Sequence, residues 1–65
     1  MNEAATIKIW SNIQGLERKL QQIYTDYFGG YYEEDVMIKL TDSTERDLEI
    51  NYYIYNLILK DANTN

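Results

Sequence analysis

Cysteine, histidine and proline are all absent from these 65 residues. Without cysteine there is no disulfide and no thiolate metal ligand. Without histidine the commonest metal ligand and the commonest general base near neutral pH are both missing. Together the two absences exclude Ser-His and Cys-His nucleophilic catalysis. Basic residues are also scarce, with 6 Lys and Arg against 11 Asp and Glu, for a net charge of −5. Nucleic acid is therefore not expected as a direct ligand, because binding it needs cations that displace counterions. An anionic membrane surface is disfavoured for the same reason. No run of about 18 apolar residues occurs, so no membrane span is expected. The start, Met1-Asn2-Glu3, lacks the basic and apolar regions of a signal peptide. The lack of cysteine fits a cytoplasmic protein. Glycine is limited to three positions, and Gly29-Gly30 has neither the spacing nor the following lysine of a phosphate loop.

What the chain does have is one regular apolar row. Ile9, Ile13, Leu16, Leu20, Ile23 and Tyr27 recur in alternating steps of four and three. That is the seam of a single helix face, and a strand would send alternate members to opposite sides. The spacing predicts a helix from about Ala5 to Phe28, roughly 36 Å long at ~1.5 Å per residue. Ser11-Asn12-Ile13-Gln14 has the form of a capping box and offers a later start, but Ile9 is already in phase with the row. Gly15 weakens this helix by roughly 1 kcal/mol relative to Ala and leaves room for another backbone. Gly29-Gly30 then stops it, because glycine accepts the left-handed backbone of a helix end.

The second half reads in two ways. As a helix its seam is Val36, Leu40, Ser43, Asp47, Ile50, Ile54 and Leu57, with two polar residues in the middle. As strands, Val36, Ile38 and Leu40 alternate with Met37, Lys39 and Thr41, and Leu48, Ile50, Tyr52 and Ile54 alternate likewise, with Asp42–Asp47 as the turn. Asp42-Ser43-Thr44-Glu45 resembles a capping box and places the main helix at about Ser43 to Lys60. Asp35–Thr41 is then either its first turns or an extended segment. Ala62–Asn65 is expected to be disordered, and Met1–Ala4 to be a frayed lead-in.

These elements predict one small all-α domain over residues 1–65, an antiparallel helical hairpin with its turn at residues 29–35. The alternative is α+β, with one long helix and a β-hairpin. A chain this short buries only roughly 60% of its unfolded surface. Lacking disulfides and metal ligands, it is expected to gain burial by self-association, as a homodimeric four-helix bundle. The expected self-association face is Ile9, Ile13, Leu16, Leu20 and Ile23.

The best candidate for a contact with another protein is the aromatic and acidic cluster Tyr27, Tyr31, Tyr32, Glu33, Glu34 and Asp35. Tyrosine buries a large area at low entropic cost. The competing account is that these tyrosines plug the open end of the bundle. Glu33, Glu34 and Asp35 do not match the alternate-residue spacing of a calcium loop, so no metal and no cofactor is expected. The expected role is a small acidic regulator or inhibitor that occupies a partner's surface, which itself could be basic. A nucleic-acid mimic is an alternative, because Asp26, Glu33, Glu34, Asp35, Asp42, Glu45, Asp47 and Glu49 are opposed only by Lys39 and Arg46. Abundant Asn, Ile, Lys and Tyr, with AT-rich codons, point to a low-GC bacterium or its phage.

Ser43-Thr44-Glu45-Arg46-Asp47 resembles the Ser-Gln-Glu-Leu-Asp signature of small helical-hairpin phosphatases that act on sporulation response regulators. Ile13-Gln14-Gly15-Leu16-Glu17-Arg18-Lys19-Leu20 is similar to the first helix of that family. Arg46 stands where the signature has leucine, and the connection around Gly29–Asp35 is longer. The resemblance implies a helical hairpin in which Ser43 and Asp47 face the partner's phospho-aspartate, with Asp47 orienting the attacking water.

Overall fold

The computed structural model describes residues 3–63. Two helices make up the fold, α1 (Glu3–Phe28) and α2 (Glu34–Asn63), packed against each other as an antiparallel hairpin. The particle measures 50 × 16 × 11 Å, one helix layer thick. The all-α hairpin expected from the α1 row is the fold. The α+β alternative is not, since no strand occurs among the described residues.

α1 forms because its apolar residues hold a helical phase, with good helix formers unbroken from Leu16 to Gln22. Its inward row is the predicted one. Ile13 and Ile23 are buried, and Ile9, Leu16, Leu20 and Tyr27 are half-buried. The helix ends in a Schellman motif. Gly30 takes φ +84°, its N–H donates to the Tyr27 carbonyl at 3.0 Å, and the Tyr31 N–H donates to the Asp26 carbonyl at 2.9 Å. Only glycine holds that φ without penalty, so the chain reverses at this residue. The Tyr31 ring folds over Gly29, where an added Cβ would lie 3.3 Å from it and 3.2 Å from the Thr25 carbonyl oxygen.

α2 starts earlier than Ser43. The Glu33 carbonyl accepts the Met37 N–H at 3.0 Å, and Glu34 and Asp35 occupy the first turn, where acids suit the helix dipole. Asp35–Thr41 is therefore helical, and the turn is shorter than residues 29–35. Asp42-Ser43-Thr44-Glu45 lies inside the helix and caps nothing. At the far end α2 runs through Asn63, so the expected disorder does not apply to Ala62 and Asn63. The expectation for Thr64 and Asn65, like that for Met1 and Asn2, lies outside the described residues.

The main correction concerns which side of α2 meets α1. The inward row is Met37, Thr41, Thr44, Leu48, Asn51, Tyr55 and Ile58, all buried or half-buried. It is displaced by one residue from the more apolar row Val36, Leu40, Ser43, Asp47, Ile50, Ile54 and Leu57, every member of which is exposed. The inward row tolerates polar residues because they bond within their own helix. Thr44 is 1% exposed and its Oγ1 donates to the Leu40 carbonyl at 2.8 Å. Asn51 Nδ2 donates to the Asp47 carbonyl at 2.8 Å, and Thr41 Oγ1 approaches Met37 Sδ at 3.7 Å. Among the described residues no buried side-chain polar atom lacks a partner. Two contacts fix the register between the helices. The Trp10 and Tyr55 rings lie 5.6 Å apart between centroids, and the Tyr52 hydroxyl donates to Glu17 Oε1 at 2.7 Å.

Candidate functional site

The five residues expected to form a self-association face, Ile9, Ile13, Leu16, Leu20 and Ile23, are already covered by α2. Ile13 is fully buried and Ile23 nearly so. They hold the hairpin together and are not an open surface.

The aromatic cluster at the turn divides into two parts. Tyr32 and Tyr27 serve the fold. The Tyr32 hydroxyl donates to the Ile23 carbonyl at 2.9 Å, so this side chain reaches back over the end of α1. Burial, and then the nearby Asp26 carboxylate, push its pKa above the ordinary 10.0, so it stays a neutral donor. Tyr27 is half-buried and its ring lies 5.2 Å from that of Phe28. Tyr31 and Phe28 face solvent, at 81% and 80% exposure, the two most exposed large apolar side chains described. Phe28 lies outside the expected contact set of Tyr27, Tyr31, Tyr32, Glu33, Glu34 and Asp35. The signal was available: it sits one position past the inward row, beside a helix stop. Glu33, Glu34 and Asp35 are exposed, and Asp35 Oδ1 accepts the Val36 N–H at 3.0 Å. The hairpin tip thus offers two largely exposed aromatic rings beside three carboxylates. Among the described residues no group of three potential metal ligands is placed to hold an ion.

Ser43 and Asp47 lie one turn apart on α2, both exposed and on the same face. Asp47 borders a shallow groove between the helices of about 400 Å³, lined also by Ser11, Asn12, Gly15, Leu16 and Asn51. Gly15 creates part of that space, since a Cβ there would meet nothing within 4 Å. No other backbone of the same chain fills it. The groove is open to water and offers a carboxylate, two amides and a hydroxyl, enough to hold a water or a guanidinium group. It is not an enclosed cleft that would strip water from a substrate. Above and below it on the same face lie Val36, Leu40, Ile50, Ile54 and Leu57. Ile50 is 57% exposed and the others between 36% and 48%.

Across the described residues no helix is long and apolar enough to cross a membrane. Comparison with known proteins gives no match: no family model fits the chain, and no curated protein or solved structure is significantly similar to it.

Proposed function

We propose that the protein is a small regulator or inhibitor that acts by occupying a surface of another protein, with the hairpin tip as its contact. One observation carries this reading: Phe28 and Tyr31 are 80% and 81% exposed although neighbouring aromatics are folded back to close the turn. Exposed aromatics at a rigid turn bury area on binding with little loss of freedom. Glu33, Glu34 and Asp35 beside them favour a partner whose surface is basic around an apolar pocket. The test is capture of the partner by the wild-type chain and by the Phe28→Ala/Tyr31→Ala variant. The variant is expected to keep its helical circular-dichroism spectrum and lose the partner. Equal capture by both chains removes the tip as the contact.

A second reading is hydrolysis of an aspartyl-phosphate on a response regulator. It is supported by the shared exposed face of Ser43 and Asp47 in the middle of α2, beside a groove that admits water. Asp47 would orient the attacking water. Asp47→Ala should then spare partner binding and abolish loss of phosphate from a phosphorylated regulator. Absence of such turnover by the wild-type chain across response regulators ends this reading.

A further inference from the structure

We infer that the outward row of α2 is the contact between two copies of this chain, with the two α2 helices running antiparallel about Asp47. The inference does not depend on the tip as a partner site, and it excludes the second reading, because the contact covers Ser43 and Asp47. Three observations carry it.

The first is area. A folded monomer of 7.7 kDa exposes about 4,300 Å². This chain exposes 5117 Å². The excess of about 800 Å² is what one partner contributes to a standard-size interface. The shape agrees, since the radius of gyration is 15.0 Å against about 11 Å for a compact domain of this length. A hairpin one layer thick lacks a second layer, and a copy of itself supplies one.

The second is the pattern of the row. Val36 and Leu40 lie at one end, Ile50, Ile54 and Leu57 at the other, and Ser43 and Asp47 between them. Leu40 and Ile54 are each seven residues from Asp47. A twofold axis at Asp47 therefore sets Leu40 of one copy on Ile54 of the other and brings Val36, eleven residues out, alongside Leu57, ten residues out. The apolar ends cover each other over roughly 30 Å at ~1.5 Å per residue.

The third is charge. Arg46 is exposed and adjoins Asp47, so the same axis brings each Arg46 within reach of the other copy's Asp47, twice over. The groove of about 400 Å³ beside Asp47 leaves room for that guanidinium group. Antiparallel pairing also sets the acidic first turn of one α2, Glu34 and Asp35, near the end of the other that carries Lys60. Parallel pairing would bring the two acidic ends together.

The chain has no native cysteine, so single-cysteine variants report the geometry directly. Asp47→Cys is expected to form a covalent dimer on mild oxidation, and Val36→Cys is not. A covalent dimer from Val36→Cys as well as from Asp47→Cys would mean parallel pairing and overturn the inference. Analytical ultracentrifugation should find the wild-type chain dimeric at tens of micromolar. Ile50→Arg/Ile54→Arg should be monomeric with an unchanged helical spectrum. A wild-type chain that stays monomeric to millimolar concentration overturns the inference, as does a dimer that survives both arginines. Arg46→Glu should weaken the dimer about tenfold or more, and Arg46→Glu/Asp47→Arg should restore most of that loss. Failure of the reversal to restore it removes the twofold placement at Asp47.

Discussion

The two helices solve the same packing problem with opposite materials. α1 turns its most apolar row inward: Ile9, Ile13, Leu16, Leu20, Ile23 and Tyr27 meet α2, and polar residues together with Ile7, Trp10, Tyr24 and Phe28 stay outside. α2 turns inward a row in which Thr41, Thr44 and Asn51 alternate with Met37, Leu48, Tyr55 and Ile58, and it leaves a more apolar row in water. The α1 side of the interface draws its stability from burial. The α2 side draws on shape, on hydroxyl and amide groups bonded to their own helix, and on a few long side chains that reach across. A helix face need not be the most apolar one available to be the one that packs. It has to leave nothing unsatisfied and keep charge outside.

The strongest way to break this contrast is Ile13→Ala. Removal of a fully buried isoleucine costs about 2–5 kcal/mol, and a chain of this length has only about 3–10 kcal/mol in total. Urea or thermal unfolding followed by circular dichroism should show the helical signal collapse. On the outward row of α2, Ile50→Ser should shift stability by about 0.5 kcal/mol or less at dilutions where the chain is monomeric. Gly30→Ala should cost about 1–2 kcal/mol, because alanine resists φ +84°. That glycine sets where α1 stops and the chain reverses. Gly15→Ala should have the opposite sign, stabilising α1 by about 1 kcal/mol, because the added methyl meets nothing.

Smaller effects sharpen the picture of α2. Thr44→Val keeps the buried shape and removes the hydroxyl, while the Leu40 carbonyl can keep its main-chain bond. The melting temperature should hold or rise slightly, by about 1 kcal/mol or less in stability. A marked fall would show that the back-bond itself fixes the inward row. The smallest effect concerns Tyr52. Its hydrogen bond to Glu17 first, and then burial and that carboxylate's charge, raise its pKa above the ordinary 10.0. The folded form thus favours the protonated phenol. Its contribution is complete below pH 10 and is lost as pH rises through the raised folded value. The stability difference between wild type and Tyr52→Phe should be constant at neutral pH and shrink in alkaline titration.

The residues themselves show why half of this was legible beforehand. The α1 row and the Gly29-Gly30 stop are written in apolarity and backbone permissiveness, both local properties. The inward row of α2 is not, because the fitness of Thr44 and Asn51 for burial lies in carbonyls four residues earlier, and a pattern of apolar letters does not register them. The early start of α2 was hidden because Val36, Ile38 and Thr41 suit strands as single residues, while helix formation there depends on the Glu33 carbonyl and the acids after it. At the tip the aromatics were visible as a group. Their division into Tyr27 and Tyr32, which close the turn, and Phe28 and Tyr31, which do not, follows from the direction in which the Schellman motif sends the chain.

The one-residue offset between the two rows of α2 has a further consequence. A roll of about 100° around the helix axis separates the observed hairpin from a rival with nearly the same backbone. The rival would sink Val36, Leu40, Ile50, Ile54 and Leu57 against α1, and on apolar area alone it would win. It would also take the Asp47 carboxylate out of water opposite the aliphatic row of α1, where no cation waits to meet it. One carboxylate at the edge of the groove between the helices thereby opposes the rival turn of the second helix.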